Sequence, residues 1–199
     1  MSNFSDLSGH GFSVVRELGH NRAGGRVTYL AINRANRQTL VNPVTDLPEG
    51  DMVHERLASL VHSDDNWALL RVSIESLGSF REMYGFVAAD DVLRAVTLMV
   101  RNAVREHGNA SDWVGHMESE DFMIVTKPEN IERIRERIES RIRQSREYFY
   151  PLKDRDKARE AMEANHLRLM SAVIDHTHGP FDDIDQMMDA LRGSATRAQ

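Results

Sequence analysis

The sequence contains no cysteine. This absence excludes disulfide bonds, catalysis by a thiolate, and zinc or iron–sulfur centres held by cysteine. The sequence also lacks any uninterrupted run of about 20 apolar residues, which a membrane-spanning helix needs. Residues 1–12 have neither the basic start nor the apolar stretch of a signal peptide. We therefore expect a soluble, cytoplasmic protein without a membrane span.

Basic residues are fewer than acidic residues. The 25 lysines and arginines stand against 31 aspartates and glutamates, which gives a formal net charge of −6. A surface that follows the phosphates of nucleic acid needs an excess of positive charge, so this balance argues against nucleic acid as a partner. With 41% hydrophobic and 28% charged residues among 199, the composition is that of one globular domain with a short extension.

The chain divides into an extension and a main domain. Residues 12–32 alternate apolar, β-branched and aromatic side chains on both sides of a glycine-rich turn, which predicts a β-hairpin. A turn-rich stretch follows at 42–48, and helical spacing begins at Asp51. We therefore expect an N-terminal tail and β-hairpin in residues 1–41, followed by a main domain in residues 42–199.

The main domain alternates predicted strands and helices. Short apolar runs indicate strands, and apolar residues at helical spacing indicate helices. The strands are predicted at 66–74, 113–117, 122–126 and 167–174, and the helices from Asp51 to Val61 and at 87–106, 131–146, 153–164 and 181–191. This order is typical of an α/β (α+β) sandwich with mixed strand directions.

Two features of the main domain have more than one interpretation. Isoleucines at 131, 134, 138 and 142 form one narrow stripe on a helix, which is typical of core packing against a sheet or of half a dimer seam. His176 and His178 have the spacing of metal ligands at a strand end, and are otherwise solvated loop histidines.

The N-terminal hairpin resembles the glycine-rich loop of bacterial Ser/Thr kinases. The similarity lies in residues 16–19 (RELG), 24–27 (GGRV) and 28–31 (TYLA). In that family the backbone amides of the loop cover nucleotide phosphates. The sequence has no Val-Ala-Ile-Lys strand after the hairpin, and no HRD or DFG motif. The hairpin is therefore either a nucleotide contact or a surface that packs on the main domain or on a partner.

Several blocks of the main domain match the motifs of one family at matching spacing. The blocks are NPVTDLP at 42–48 for the opening motif DPLTGLPNR, YGFVAADDVL at 84–93 for YGHxxGDxxL, ESEDF at 118–122 for the signature GGDEF, SAVID at 171–175 for SIGVA, and DQMMDALR at 185–192 for ADEALYRAK. Residues 42–196 thus resemble the GGDEF domain of diguanylate cyclases. The resemblance implies a nucleotidyl-cyclase-like palm with a central five-stranded sheet, mixed but mostly antiparallel, flanked by helices.

The resemblance also implies where metal and phosphates would bind. The family joins two GTP molecules with the help of divalent metal held by carboxylates. One metal aspartate of the family corresponds to Ser73, with Glu75 two residues on, and the third signature position is Glu120. Glu118 and Ser119 replace the two glycines that let the backbone approach phosphates closely. We expect no resident cofactor, and Mg²⁺ or Mn²⁺ at Glu75 and Glu120 if a nucleotide binds.

Base recognition and product inhibition involve other positions. The guanine-binding asparagine and acid of the family correspond to Arg81 and Asp90, and Arg192 stands for a phosphate-contacting lysine. The family's inhibitory RxxD motif has Asn109 and Asp112 at its ends, so its acid is present and its arginine is absent.

The signature itself has an alternative interpretation. Its five positions are Glu118, Ser119, Glu120, Asp121 and Phe122. Three acids at a hairpin tip without basic partners are also typical of a solvated turn. Glu120 is then the remnant of a catalytic position, and no catalytic residue is expected.

These features favour a catalytically inactive GGDEF-like regulatory or scaffold domain in bacterial cyclic di-GMP-type signalling. Such a domain acts by protein–protein contact, with a protein partner or as a homodimer. The alternatives are a sensor that binds a guanine nucleotide or cyclic di-GMP, and a diguanylate cyclase with residual activity.

Overall fold

The structure, a computed structural model, describes residues 12–21, 26–33, 41–118, 120–151 and 167–197, with backbone alone for the first two segments and for residue 197. The strands in this part of the chain are β1 (Phe12–Asn21), β2 (Arg26–Asn33), β3 (Ala68–Glu75), β4 (Trp113–Met117), β5 (Asp121–Thr126), β6 (Arg168–Asp175) and β7 (Thr196–Arg197). The α-helices are α1 (Asp51–Val61), α2 (Leu77–Tyr84), α3 (Phe86–His107), α4 (Pro128–Ser145) and α5 (Ile184–Gly193). None of these helices is long and apolar enough to cross a membrane.

The predicted N-terminal hairpin is present. Strands β1 and β2 pair antiparallel from Phe12 opposite Asn33 to Asn21 opposite Arg26. The turn between them and their side chains lie outside the described residues. Both interpretations of the hairpin, the nucleotide contact and the packing surface, therefore stay predictions.

A five-stranded sheet forms the centre of the main domain, as the resemblance implies. The strand order is β4-β5-β3-β6-β7, and the four pairings are antiparallel. Strand β3 lies in the middle and is hydrogen-bonded along its whole length to β6 and along most of it to β5. The sheet was predicted to be mixed but mostly antiparallel, and all of its pairings in the described residues are antiparallel.

Helices cover both faces of this sheet. Leu70, Val72 and Ile74 of β3 point to one face, where they pack in the same core as helices α2, α3 and α4. Leu69 points to the other face, toward the core shared by α1 and α5. A strand that is buried on both faces needs apolar residues at consecutive positions, which explains the continuous apolar run of β3.

The isoleucine stripe of α4 belongs to the core. Its four members are at most 7% exposed, and they pack with the sheet and with α3: Ile131, Ile134, Ile138 and Ile142. Helix α4 starts three residues earlier than predicted, with Pro128 at its first position, where a missing N–H has no cost. Of the two interpretations of the stripe, core packing is confirmed.

The region before the long helix contains an element that was not predicted. Helix α2, Leu77–Tyr84, precedes α3, and Gly85 between them has a φ of 86°. With eight residues and two buried apolar side chains, Leu77 and Phe80, α2 is too short to show a helical period in the sequence. The helix predicted at 153–164 lies outside the described residues.

The opening turn of the domain is held by side chains and by the sheet. The Asn42 Oδ1 accepts two backbone N–H groups of the turn, at 2.9 and 3.0 Å. Arg101 of α3 donates to the carbonyl of Asp46 at 2.8 Å. The N–H of His116, in the edge strand β4, donates to the carbonyl of Pro48 at 2.7 Å. The turn thereby covers part of an exposed sheet edge.

The core position of the isoleucine stripe can be tested with Ile138→Ala. This side chain is fully buried, so we expect the free energy of unfolding to fall by about 2–5 kcal/mol through lost burial and a new cavity. The loss should be the same at low and high protein concentration in urea unfolding. A loss that grows at low concentration would indicate a dimer seam instead, and Glu136→Ala, on the exposed side of the same helix, is the control.

Candidate functional site

The signature segment forms the connection between strands β4 and β5. Glu118 is exposed and has a φ of 57°, in the left-handed region that favours glycine. Ser119 lies outside the described residues. Phe122 is fully buried in the core, where its ring meets the imidazole of His116 edge to face, with 5.0 Å between centroids. The hairpin is thus anchored in the core at Phe122 and exposed at Glu118.

Glu120 contacts the start of helix α2. Its Oε1 accepts a hydrogen bond from the backbone N–H of Gly78 at 3.1 Å, and its carbonyl accepts one from Ile74 at 3.0 Å. Backbone N–H groups in the first turn of a helix have no partner inside the helix and attract negative charge. The carboxylate of Glu120 therefore ties the signature turn to α2.

Asp121 is buried and ion-paired. Its side chain is 9% exposed, and its Oδ2 accepts from Nε and Nη2 of Arg71 at 2.8 and 2.7 Å. Arg71 lies on β3 opposite Met123, two residues from the position opposite Asp121, so the ion pair runs diagonally between the two strands. The solvated-turn interpretation is therefore wrong for Asp121, because the basic partner comes from a strand 50 residues earlier in the sequence. The exposed Glu118 agrees with that interpretation.

The positions implied for metal lie near the end of β3. Ser73 is 8% exposed and stands opposite Asp121 on β5 and Met170 on β6. Glu75 is half-buried at the last position of the strand. Because side chains alternate along a strand, Ser73 and Glu75 point to one face and Ile74 to the other. The described residues contain no cluster of three or more histidine, cysteine or acidic side chains arranged to hold a metal ion.

The positions implied for guanine lie at the corner between α2 and α3. The guanidinium carbon of Arg81 lies 5.6 Å from the centre of the Phe86 ring, a cation–π contact. The Nε of Arg81 is buried and has no hydrogen-bond partner in the described part of the chain. Asp90 follows Phe86 by one helical turn and is half-buried. Arg81 and Asp90 are thus brought to the same corner, where the Arg81 guanidinium lies over the ring of Phe86, which stays largely exposed.

The positions of the inhibitory motif lie at the other end of the hairpin. The Oδ2 of Asp112 accepts from the Thr126 hydroxyl at 2.7 Å and from the Asn109 backbone at 2.8 Å, and Asn109 itself is exposed. A cavity of about 550 Å³ lies beside Asp112 and is also lined by Arg56 and Lys127. The Nε of Arg56 is buried without a partner among the described residues. A cation from α1 thus lines the same cavity as the acid of the motif, whereas Asn109, at the motif's arginine position, is not among its lining residues.

Comparison with known families agrees with this geometry. Residues 39–163, well over half of the chain, match the family described as "Diguanylate cyclase, GGDEF domain". The chain belongs to the GGDEF family. No curated protein sequence shows significant similarity to it.

Solved GGDEF structures share the fold of this domain. The diguanylate cyclase SiaD of Pseudomonas aeruginosa, solved with its activator SiaC, has 16% identity and a TM-score of 0.58, and the match covers 78% of this chain and 56% of SiaD. The GGDEF domain of PA1120 (TpbB or YfiN), also from P. aeruginosa, has 15% identity and a TM-score of 0.56, covering 77% and 85%. The DgcB GGDEF domain of Caulobacter crescentus, solved with c-di-GMP, has 15% identity and a TM-score of 0.54, covering 79% and 88%. At such identities the likeness shows the fold.

The remaining predicted site residues of this GGDEF domain are on its surface. Arg192 of α5 is exposed and forms an ion pair with Asp189, one turn earlier. His178 hydrogen-bonds with its Nδ1 to the carboxylate of Asp175 at 2.9 Å, as part of the cap of a short 3-10 turn at His176–His178. The pair His176 and His178 belongs to no metal cluster in the described residues.

The motifs and patterns of the sequence did not identify three residues near the site: Arg71, His116 and Arg56. A signal existed for Arg71, because a charged residue inside an apolar central strand requires an opposite charge nearby. His116 is fully buried, and neither ring nitrogen has a hydrogen bond in the described residues. Its burial follows from strand alternation, which directs it to the same face as Phe122.

The Arg71–Asp121 ion pair can be tested by removing one partner at a time. Arg71→Met leaves the carboxylate buried and unpaired, so we expect the free energy of unfolding to fall by about 2–3 kcal/mol. The double variant Arg71→Met with Asp121→Leu should recover most of this loss, because no uncompensated charge is left. Urea unfolding measures both. Equal losses in the single and double variants would contradict a paired role.

His116 predicts a pH dependence of stability. Burial lowers the pKa of the His116 imidazole below its usual value of 6.5, while the carboxylates of Glu49 and Asp121 and the backbone of Glu118 act weakly in the opposite direction. The unfolded chain therefore binds a proton more readily than the folded chain. Stability should be constant above pH 6.5 and fall as the pH drops below it.

Thermal unfolding between pH 8 and about pH 5 measures this effect. In the variant His116→Phe the part of the decline due to His116 should disappear. The exposed His62→Gln is the matched control and should keep the wild-type profile. A His116→Phe profile identical to that of the wild type would contradict the prediction.

Proposed function

We propose that this chain is a catalytically inactive GGDEF domain that serves as a regulatory or scaffold module in cyclic di-GMP-type signalling and acts by protein–protein contact. The observation that carries the proposal is the contact of Arg81 with Phe86 at the corner where the family reads guanine. A guanidinium on the ring takes up space and hydrogen-bonding surface that a base would need. At this position the family has an asparagine, whose amide can both donate and accept hydrogen bonds. The side chain of Arg81 can only donate them.

The residues at the end of β3 support the same proposal. A neutral serine hydroxyl is a poor ligand for Mg²⁺, which prefers carboxylate and phosphate oxygens. Ser73 is buried against neighbouring strands, and the acid next to it, Asp121, is already neutralised by Arg71. Glu120, the other implied ligand, accepts a hydrogen bond from Gly78. If a nucleotide binds, Glu75 and Glu120 are the carboxylates that would hold the accompanying Mg²⁺ or Mn²⁺.

The turn residue Glu118 adds a repulsive element. Its exposed carboxylate occupies the position of the first signature glycine, where the family brings the backbone close to a triphosphate. A negative side chain in that place opposes a polyanion by charge and by bulk. Loss of catalysis with retention of fold is physically simple, because the core and the site depend on different side chains.

A role through protein contact has a parallel among the structural neighbours. SiaD was solved in complex with its activator SiaC, so a GGDEF protein can have a dedicated protein partner. For this chain, which spans 56% of SiaD, we propose a partner of its own or a homodimer. We also propose a cytoplasmic location, as for other domains of this signalling system.

A second candidate function is a sensor of cyclic di-GMP, and the cavity beside Asp112 favours it. Arg56 and Lys127 bring positive charge to this cavity, and Asp112 offers an acceptor. Asp65 also lines the cavity, so it holds two cations, which suit phosphates, and two carboxylates, which suit guanine edges. DgcB was solved with c-di-GMP, which makes this ligand the first to test.

Incubation of the purified chain with GTP and Mg²⁺ or Mn²⁺ tests the proposed function. We expect no cyclic di-GMP above a protein-free control, while an active diguanylate cyclase assayed in parallel forms it. The same sample should show no thermal stabilisation by GTP, since a ligand that binds the folded state raises its stability. Formation of cyclic di-GMP that depends on the chain would overturn the proposal.

Titration with cyclic di-GMP separates the two candidates. Binding that is lost in Arg56→Ala and retained in Arg133→Ala, an exposed arginine of α4, would establish the sensor. Absence of binding in a folded sample would rule the sensor out and leave the scaffold.

A further inference from the structure

The corner between α2 and α3 exposes three large apolar side chains on one short segment of the chain. Met83 is 70% exposed, Phe86 72% and Val87 75%. They lie on both sides of Gly85, whose φ of 86° turns the chain from one helix into the next. We call these three residues the corner patch. Three large apolar side chains exposed on one short segment favour a binding role over chance exposure, since such residues are normally scattered singly on a protein surface.

The corner patch is held in place by ordered structure. The N–H of Gly85 donates to the carbonyl of Arg81 at 2.8 Å, which closes α2. The N–H of Ala89 donates to the carbonyl of Gly85 at 3.3 Å, which opens α3. The guanidinium carbon of Arg81 lies 5.6 Å from the centre of the Phe86 ring. Because the backbone at this corner is hydrogen-bonded, little backbone entropy is lost when the ring binds a partner.

Carboxylates surround the corner patch. Glu82 precedes Met83 and is exposed, and Asp90 lies one helical turn beyond Phe86 on α3. Neither acid forms an ion pair within the described part of the chain. Arg94 is ion-paired with Asp91, while Arg81 keeps its positive charge over the Phe86 ring. With Glu120, the acids Glu82 and Asp90 still outnumber this one cation.

A continuous surface joins the corner patch to the signature turn. The exposed residues of α2, namely Gly78, Ser79, Glu82 and Met83, lie on one side of the helix. At its beginning, Glu120 of the signature contacts Gly78. The strip from Glu120 to the corner patch is about 10 Å long, at 1.5 Å per helical residue. It carries Glu120 at one end and Glu82 at the other, and Asp90 lies beyond the corner patch on α3.

We infer that this surface is the docking site of a partner protein and that the partner presents an apolar stripe flanked by lysines or arginines. The corner patch takes the apolar stripe, and Glu82, Asp90 and Glu120 face the basic residues. The inference rests on the proposed function, because it states the chemistry of the partner through which the scaffold acts.

A second copy of the chain fits this surface less well. In a two-fold contact the same patch meets itself, which brings Glu82 and Asp90 of one copy close to those of the other. Like charges that face each other across an interface weaken it. A nucleotide polyanion is disfavoured by the same carboxylates. The charge of the surface therefore selects a basic partner.

Two synthetic peptides test the inference on the full chain. Both have about 18 residues, five helical turns, and the same leucine stripe, and they differ in having lysines or glutamates beside it. By fluorescence anisotropy we expect the lysine peptide to bind and the glutamate peptide to bind at least about tenfold more weakly. Binding of the lysine peptide should weaken as salt is raised.

Variants locate the binding site. Phe86→Ser, and Glu82→Lys combined with Asp90→Lys, should each weaken binding of the lysine peptide about tenfold or more. Leu98→Ser is the apolar control, since Leu98 is 61% exposed on the same helix, and Asp64→Lys is the acidic control. Because Phe86 is largely in solvent, its replacement should leave thermal stability unchanged.

Several outcomes would overturn the inference. These are absence of binding of either peptide, equal binding of both, unchanged binding in Phe86→Ser, or equal effects of the control variants. A concentration-dependent dimer in sedimentation equilibrium that Phe86→Ser abolishes would assign the corner patch to a second copy instead.

Cyclic di-GMP formation, measured in parallel, keeps the two proposals apart. If the chain forms the product and the lysine peptide still binds through Phe86, the proposed function fails and the docking surface stands. If no product forms and the peptide does not bind, the docking surface fails and the inactive domain stands.

Discussion

Strand β3 is the element on which the rest of the domain depends. It is paired on both sides and buried on both faces, so its side chains contribute to both helical layers. A strand in this position tolerates a charge only if an opposite charge neutralises it. Arg71 meets that condition through Asp121, the fourth residue of the signature. The signature hairpin is therefore joined to the centre of the sheet by an ion pair as well as by the strand ladder.

This constraint explains why part of the signature has a structural rather than a chemical role. Asp121 neutralises a central-strand arginine, and Phe122 fills the core beside His116. Glu120 closes onto the first turn of α2. Three of the five positions thus have partners inside the domain. A GGDEF hairpin can keep these contacts when nothing requires it to hold GTP, which is consistent with the proposed scaffold.

Much of the fold could be predicted from local patterns. The apolar run of β3, the hairpin at 113–126 and the isoleucine stripe of α4 each carry a period that indicates their class and their buried side. Helix α2 could not be predicted, because two buried residues in eight do not form a period. Its C-terminal boundary depends on Gly85, which has a positive φ. The sequence does not reveal this angle, because the angle follows from the arrangement of α2 and α3.

The site could be predicted from the sequence less completely than the fold. Motif spacing indicated Glu120, Arg81, Asp90 and Asp112 as candidates, whose roles stay predictions, and it could not give the residues that they contact. Arg71 is 50 residues from Asp121 in the sequence, and the contact arises from strand pairing. Likewise Arg56 reaches the cavity of Asp112 because α1 packs on the face of the sheet that continues to that loop. Contacts between distant segments depend on topology, which a local pattern does not contain.

The backbone of Glu118 has a consequence for how such domains are recognised. Its φ of 57° is the conformation that glycine adopts easily and that costs another residue about 1–2 kcal/mol. The angle belongs to the backbone and not to the side chain. A search of structures by dihedral angle would therefore find hairpin turns of this shape whatever residue stands at the position.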